Sequence, residues 1–370
     1  MKSALLTIIA LFLVTSCSKI KLTAPKAPEK KVDFFEMAWA KNLDPEYISG
    51  NLPIGLGAPR IYDDIVYQGT LSGEMMAMDV ESGRVLWKVK EETTLGAPVA
   101  RFGEYVAYGG GNGRLFVRHY LTGEMKYAID LSAPIESAPV FINERLIIYL
   151  RGHQIVNLDA ETGKVLWSYK RAVAVTTTLQ RTSKPLIIDQ KVILGFADGY
   201  IGALSFQDGN LLWETKIVDN AKFVDVDLNP VLAGSMIISG SPSGDLMGVN
   251  AQTGAVAMNF GVSVMSHPYL KGQQLLVGTN DGEIMLLSLA GEKLKTLKIS
   301  KEPVSAVTWW KDHIIAASFD GMIRAIDPLT MEVVGSYAMG YSYSSIFSDL
   351  VTTDEYLAIY TSRNHLYIFR

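Results

Sequence analysis

A period of about 40 residues, holding four short strands each time, predicts an all-β fold, an eight-bladed β-propeller. Three markers keep the beat. The first is a glycine with a bulky residue four positions later: "DVESGRVLW", "YLTGEMKY", "DAETGKVLW", "FQDGNLLW" and "AQTGAVAM", at Gly83, Gly123, Gly163, Gly209 and Gly254. "LAGEKLKTL" follows at Gly291 with a leucine in the bulky role, and a degenerate seventh unit, "DPLTMEVVGSY", has Met331 in place of the glycine. The second marker is a tight-turn dipeptide between strand-like runs, at Ser72-Gly73, Asn112-Gly113, Asp198-Gly199, Ser243-Gly244, Asp281-Gly282 and Asp320-Gly321. Such pairs tolerate the positive φ that short hairpins demand. The third is a proline opening a strand, at Pro59, Pro98, Pro139, Pro185, Pro230 and Pro268, where a missing backbone donor costs least.

The chain begins "MKSALLTIIALFLVTSC". A basic Lys2 precedes an apolar stretch from Ala4 to Val14, too short for a span of ~20 residues but suited to the apolar core of a secretory signal. The signal ends "LVTSC", which resembles the lipobox of bacterial lipoproteins: an apolar residue, two small ones and a cysteine. Cys17 is the protein's single cysteine, so internal disulfides and cysteine metal sites are excluded. The resemblance implies cleavage after residue 16 and acylation of Cys17, and acyl chains contributing ~0.8 kcal/mol per buried CH₂ would hold the protein on a membrane. Ser18 stands where an aspartate is associated with inner-membrane retention, which favours the periplasmic face of the outer membrane. "SKIKLTAPKAPEKKVD" then reads as a flexible tether. The expected divisions are a signal peptide (1–16), a lipidated tether (17–33) and a propeller (34–370).

Seven outer hairpins follow in the propeller. After the seventh, the chain supplies three strands and ends at Arg370. The missing outer strand is expected at the other terminus, in "FFEMAWAKNL" (34–43), where Trp39 and the residues after it echo "LWKVKEE". Residues 35–41 would then close the ring and remove the exposed sheet edge of an open array. Trp87, Tyr127, Trp167 and Trp213 occupy one position per blade and read as packing between sheets.

Composition is that of a globular protein, 48% hydrophobic with a net charge of −4, and no Lys/Arg run suggests nucleic-acid binding. The five histidines (His119, His153, His267, His313, His365) fall in different blades with no metal-ligand spacing, and no nucleophile elbow is present. No catalytic or metal residue and no cofactor is expected.

Two family resemblances bear on function. The repeat D-x-x-T-G-x-x-x-W resembles the blade motif of pyrroloquinoline-quinone dehydrogenases, also eight-bladed; it keeps open a dehydrogenase-like or sensor propeller, although a vicinal disulfide of the kind those enzymes often carry is impossible with one cysteine. The whole chain, from lipobox through tether to one bare ring, resembles the BamB family of outer-membrane assembly factors. That resemblance implies a non-enzymatic scaffold that binds the POTRA domains of BamA, works with other assembly lipoproteins and assists nascent outer-membrane proteins.

The repeat's irregularity suggests where. Trp167 to Pro185 and Trp213 to Pro230 are longer than Trp87 to Pro98, Tyr127 to Pro139 or Met258 to Pro268. Connections of one type in adjacent blades emerge on one face, and clustered insertions mark binding surfaces. The first reads "RAVAVTTTLQRTSKP" and the second "KIVDNAKFVDVDLNP". By the resemblance, Asp225 and Asp227 match a partner-binding D-V-D segment and Arg181 the arginine of an L-x-L-R segment. Thr178 and Gln180 stand where that segment has leucines, leaving Leu179 as the nearby apolar residue. Arg181, Asp225, Asp227, Leu179 and Gln180 are the expected docking residues.

Overall fold

The computed structural model describes residues 34–45, 57–172, 182–219, 223–340 and 344–370. Among them, strands assemble into eight four-stranded antiparallel sheets. Seven sheets are built from consecutive strands. The eighth pairs Met37–Asn42 with His365–Phe369, followed inward by Leu357–Tyr360 and Val351–Thr352. The eight-bladed ring closed by its N-terminal strand is thus observed, with Trp39 opposite Ile368 and Asn42 opposite His365. The signal and tether, with Cys17, lie outside the described residues.

Second and third strands read as nearly unbroken apolar runs because both faces are covered. In Arg145–Leu150, the side chains of Leu146, Ile148 and Leu150 join a core with the second blade, while Ile147 and Tyr149 join one with the fourth. This is the two-residue period of a strand used twice. Eight apolar clusters result, one between each pair of neighbours, and the last joins Val66, Met76 and Met78 of the first blade to Ala358, Leu366 and Ile368 of the eighth.

The glycine-aromatic marker is a latch between blades. Gly209 holds φ at 75°, and a Cβ there would lie 2.5 Å from the Trp167 ring of the preceding blade; only glycine admits that contact without strain. Trp167 Nε1 also donates to the Phe206 carbonyl at 2.9 Å. Trp87 donates likewise to Tyr120 (2.8 Å) and the Tyr127 hydroxyl to Ala160 (2.7 Å). Trp39 completes the series, donating to Val80 at 2.8 Å and covering Gly83 of the first blade.

Two units depart from the expected pattern. After Gly291 the latch position is Lys295 and not a leucine; its ammonium bonds the carbonyls of Pro328 (2.6 Å) and Leu329 (2.8 Å), while Leu294 is exposed. A lysine does the same work because its stem packs while its head reaches the acceptors. Met331 takes the glycine's left-handed conformation, with φ at 59°. In that blade Phe34 covers Gly335 and packs edge-on to Trp310 at 5.9 Å.

Candidate functional site

Within an antiparallel blade, the link from the fourth strand to the next blade's first strand leaves the sheet at the same end as the turn between second and third strands. These two kinds of segment line a cavity of about 470 Å³ on the ring axis. Ala58 and Arg60, Pro98, Glu136 to Ala138, Thr182 and Lys184, Asp225 to Asn229, Met265 and His267, Ser305 to Val307, and Phe347 to Asp349 enter it from successive blades.

The links differ sharply in length. Strand limits leave 91–99, 131–139, 264–268 and 299–303 short, against 171–185, 217–230, 339–350 and 43–59. The two long links expected from the sequence are present, flanking the fourth blade. The other two flank the eighth, across the ring; Trp39 and Pro59 bracket 43–59, whereas no pair brackets 339–350, because Leu350 stands where a proline would open the last blade.

Asp225 and Asp227 sit on the link 217–230 and line the cavity, with 3% and 9% of their surface exposed. Both are engaged by contacts of their own. The link lies so close to the fourth blade that a Cβ on Gly195 would fall 1.9 Å from the Val226 carbonyl oxygen. Leu179, Gln180 and Arg181 lie outside the described residues. Phe223 is a large apolar side chain on this link that stands in solvent, 51% exposed. Its backbone is left-handed (φ 56°), and its carbonyl accepts from the hydroxyls of Ser241 and Ser243.

Beside this link, Tyr149 donates to the Gly195 carbonyl at 2.9 Å and meets His153 Nδ1 at 3.1 Å. Arg171 bonds Asp198 (2.8 Å) and Glu214. Burial holds the His153 pKa below its ordinary value with help from Arg171, against the opposing pull of Asp198 and Asp225.

A second polar group was not expected from the sequence. Arg60 pairs with Asp349 at 3.5 Å, and His267 Nε2 stands 3.7 Å from the other carboxylate oxygen. The Asn229 N–H donates to His267 Nδ1 at 3.0 Å, which places the proton of the neutral ring on Nε2. The Asn229 side chain in turn accepts from the Lys184 backbone at 2.7 Å. Burial would raise the Asp349 pKa, but His267, Arg60 and Lys184 outweigh it and hold the carboxyl below its usual range. Lys184 is exposed on the cavity, yet the surrounding protein and the Arg60 charge lower its pKa, with Asp349 opposing. The signal was positional: Arg60, Lys184, Asn229 and His267 each adjoin a strand-opening proline. No three of His, Cys, Asp or Glu among the described residues approach closely enough to hold a metal ion.

A family model described as outer membrane protein assembly factor BamB matches residues 71–296. The chain is similar to BamB of Kangiella koreensis, 22% identical over 320 residues that cover 84% of this chain and 81% of that protein. BamB of Burkholderia pseudomallei is 23% identical over 255 residues, covering 66% of this chain and 65% of that one. In structure, BamB from Moraxella catarrhalis matches with a TM-score of 0.75 at 18% identity, over 91% of this chain and 99% of that chain. A europium-containing methanol dehydrogenase matches with a TM-score of 0.74 at 10% identity, over 91% and 93%, a likeness of fold alone.

Proposed function

The chain belongs to the BamB family of outer membrane protein assembly factors, and from that premise we propose that it is a non-enzymatic scaffold of outer-membrane protein assembly. In this reading residues 1–16 are a signal peptide, Cys17 carries the lipid, and 17–33 tether the ring to the periplasmic face of the outer membrane. The partner is a POTRA domain of BamA, in company with other assembly lipoproteins, and the ring assists nascent outer-membrane proteins.

The observation that carries the docking site is the pair of long links, 171–185 and 217–230, emerging side by side at one end of the ring. Arg181 supplies the charge and Phe223 an exposed apolar anchor of the kind that dominates interfaces. Leu179 and Gln180 flank it. Asp225 and Asp227 act from beneath, because buried carboxylates with their own partners fix a link's shape more than they reach outward.

The test is co-purification of BamA with the tagged lipoprotein from detergent-solubilised membranes. Arg181→Glu and Phe223→Ser are expected to abolish co-purification with the melting temperature unchanged. Asp225→Ala/Asp227→Ala should abolish it while also lowering the melting temperature. Normal co-purification by all three variants would move the interface elsewhere on the ring.

A further inference from the structure

The cavity holds one charge that the scaffold does not account for. Asp349 pairs with Arg60, Glu136 with Arg151, and Asp225 and Asp227 are held by contacts of their own. The Lys184 ammonium, among the described residues, has no hydrogen bond and no ion pair, although Arg60 and Asp349 are near enough to act on its charge. Lys184 is exposed where it lines the cavity, so its ammonium is open to a bound group, and the second cation Arg60 adds to the positive potential there.

His267 adds a donor beside these two cations. His267 presents Nε2–H, 3.7 Å from Asp349 and so beyond good hydrogen-bond range. Lys184 and His267 are both set by Asn229, one through its side chain and one through its backbone. The donors face an excess of apolar wall: Val307, Met265, and the rings of Phe319 and Phe347, whose centroids are 5.0 Å apart. A few convergent polar groups in an otherwise apolar concavity of this size describe a small-molecule site.

We propose that the axial cavity binds a small organic anion, a carboxylate or phosphate whose charge is taken by Lys184, with Arg60 and His267 as further donors, and whose apolar body lies on Phe319 and Phe347. Lys184 is the selecting residue, since its charge alone is left for the ligand; Asp349 holds Arg60 and His267 in place. The cavity adjoins the proposed docking surface, sharing Phe223, Asp225 and Asp227 with it, but its occupancy by a small anion is read on the protein alone.

The full-length protein in detergent, at low ionic strength, would be titrated calorimetrically with benzoate, phenyl phosphate and acetate as probes. Saturable one-site binding is expected for benzoate or phenyl phosphate, tighter than for acetate, and the tighter of the two identifies the head group. Lys184→Met should weaken it about tenfold or more, as the loss of a charge-assisted hydrogen bond does. Lys184→Arg should retain it, and Lys311→Met, on the ring exterior, should leave it unchanged. Lys184→Met should also melt no lower than the parent, because an uncompensated charge is removed. Absence of saturable heat with both aromatic probes, equal affinity in Lys184→Met, or a lower melting temperature in that variant would each overturn the proposal.

Discussion

At the rim of the ring, blade after blade makes the same contact; at the axial mouth, the charged side chains follow no repeat. Trp39, Trp87, Tyr127 and Trp167 each cover a glycine of the next blade and bond a carbonyl beside it. The mouth instead collects Arg60, Lys184, Asp225, His267 and Asp349 from five different blades. The difference separates two demands. Closing a ring of wedge-shaped sheets poses one packing problem eight times, so one solution is repeated. Selecting a partner or ligand needs an asymmetric surface, and asymmetry comes from breaking the repeat where insertions cost little.

Breaking the rim at its closure should have the largest effect. Deleting residues 34–43 removes the strand Met37–Asn42 and the packing of Phe34, Phe35 and Trp39. One buried aromatic at ~3–5 kcal/mol, two half-buried ones and the loss of a whole strand's pairing together come to a large part of the stability of a typical protein. Loss of cooperative unfolding in calorimetry is expected, and a truncated protein that melts like the parent would show that the ring closes without this strand.

At the mouth the effect should be smaller and depend on pH. His153 is kept neutral in the folded state, with its pKa below the unfolded value. The unfolded chain therefore binds more protons as pH falls through about 6.5, and the stability present above that value is lost on acidification. His153→Asn keeps a residue tolerant of the observed φ of 62° and removes the titration. Its melting temperature should fall less than the parent's between about pH 7.5 and 5. Equal falls would assign the pH dependence to other groups.

The smallest effect sharpens the rim. Met331 bears the left-handed backbone that glycine bears elsewhere, a strain of ~1–2 kcal/mol for a side-chain-bearing residue. Met331→Gly should raise stability in denaturant titration by up to ~1 kcal/mol, the relief being partly offset by lost packing and added chain entropy. A loss of stability would mean that Met331's contact with the core between the sixth and seventh blades outweighs the strain.

What could be read from the sequence divides along the same line. The rim was legible because a left-handed turn and a large ring under it restrict residue type at fixed spacing, and seven repetitions average out the exceptions. Lys295 escaped because a lysine stem can fill a latch position without resembling an aromatic. The mouth was legible only in its lengths, where Trp167, Pro185, Trp213 and Pro230 framed them; 43–59, framed by Trp39 and Pro59, was not compared with the others, and 339–350 had no frame. Its chemistry was hidden because Arg60, Lys184, His267 and Asp349 are far apart in sequence and meet only when the ring closes. Asp225 and Asp227 lie on the link 217–230 that the lengths single out, but nothing in a D-V-D segment tells whether its carboxylates point to solvent or inward.

The pairing of Met37–Asn42 with His365–Phe369 is sealed at the extreme terminus: the Arg370 N–H donates to the Glu36 carbonyl at 2.8 Å and its guanidinium meets the Glu36 carboxylate. Among the described residues, the first strand in sequence is therefore partnered by the last. Seven sheets are built from consecutive strands and can form from local hairpins, but the eighth must join segments separated by nearly the whole ring. Such long-range pairing costs loop-closure entropy before its contacts form. Ring closure is consequently expected to be the latest step of folding, and until it occurs the ring presents two open sheet edges, one on each side of the gap that the strand holding Trp39 fills.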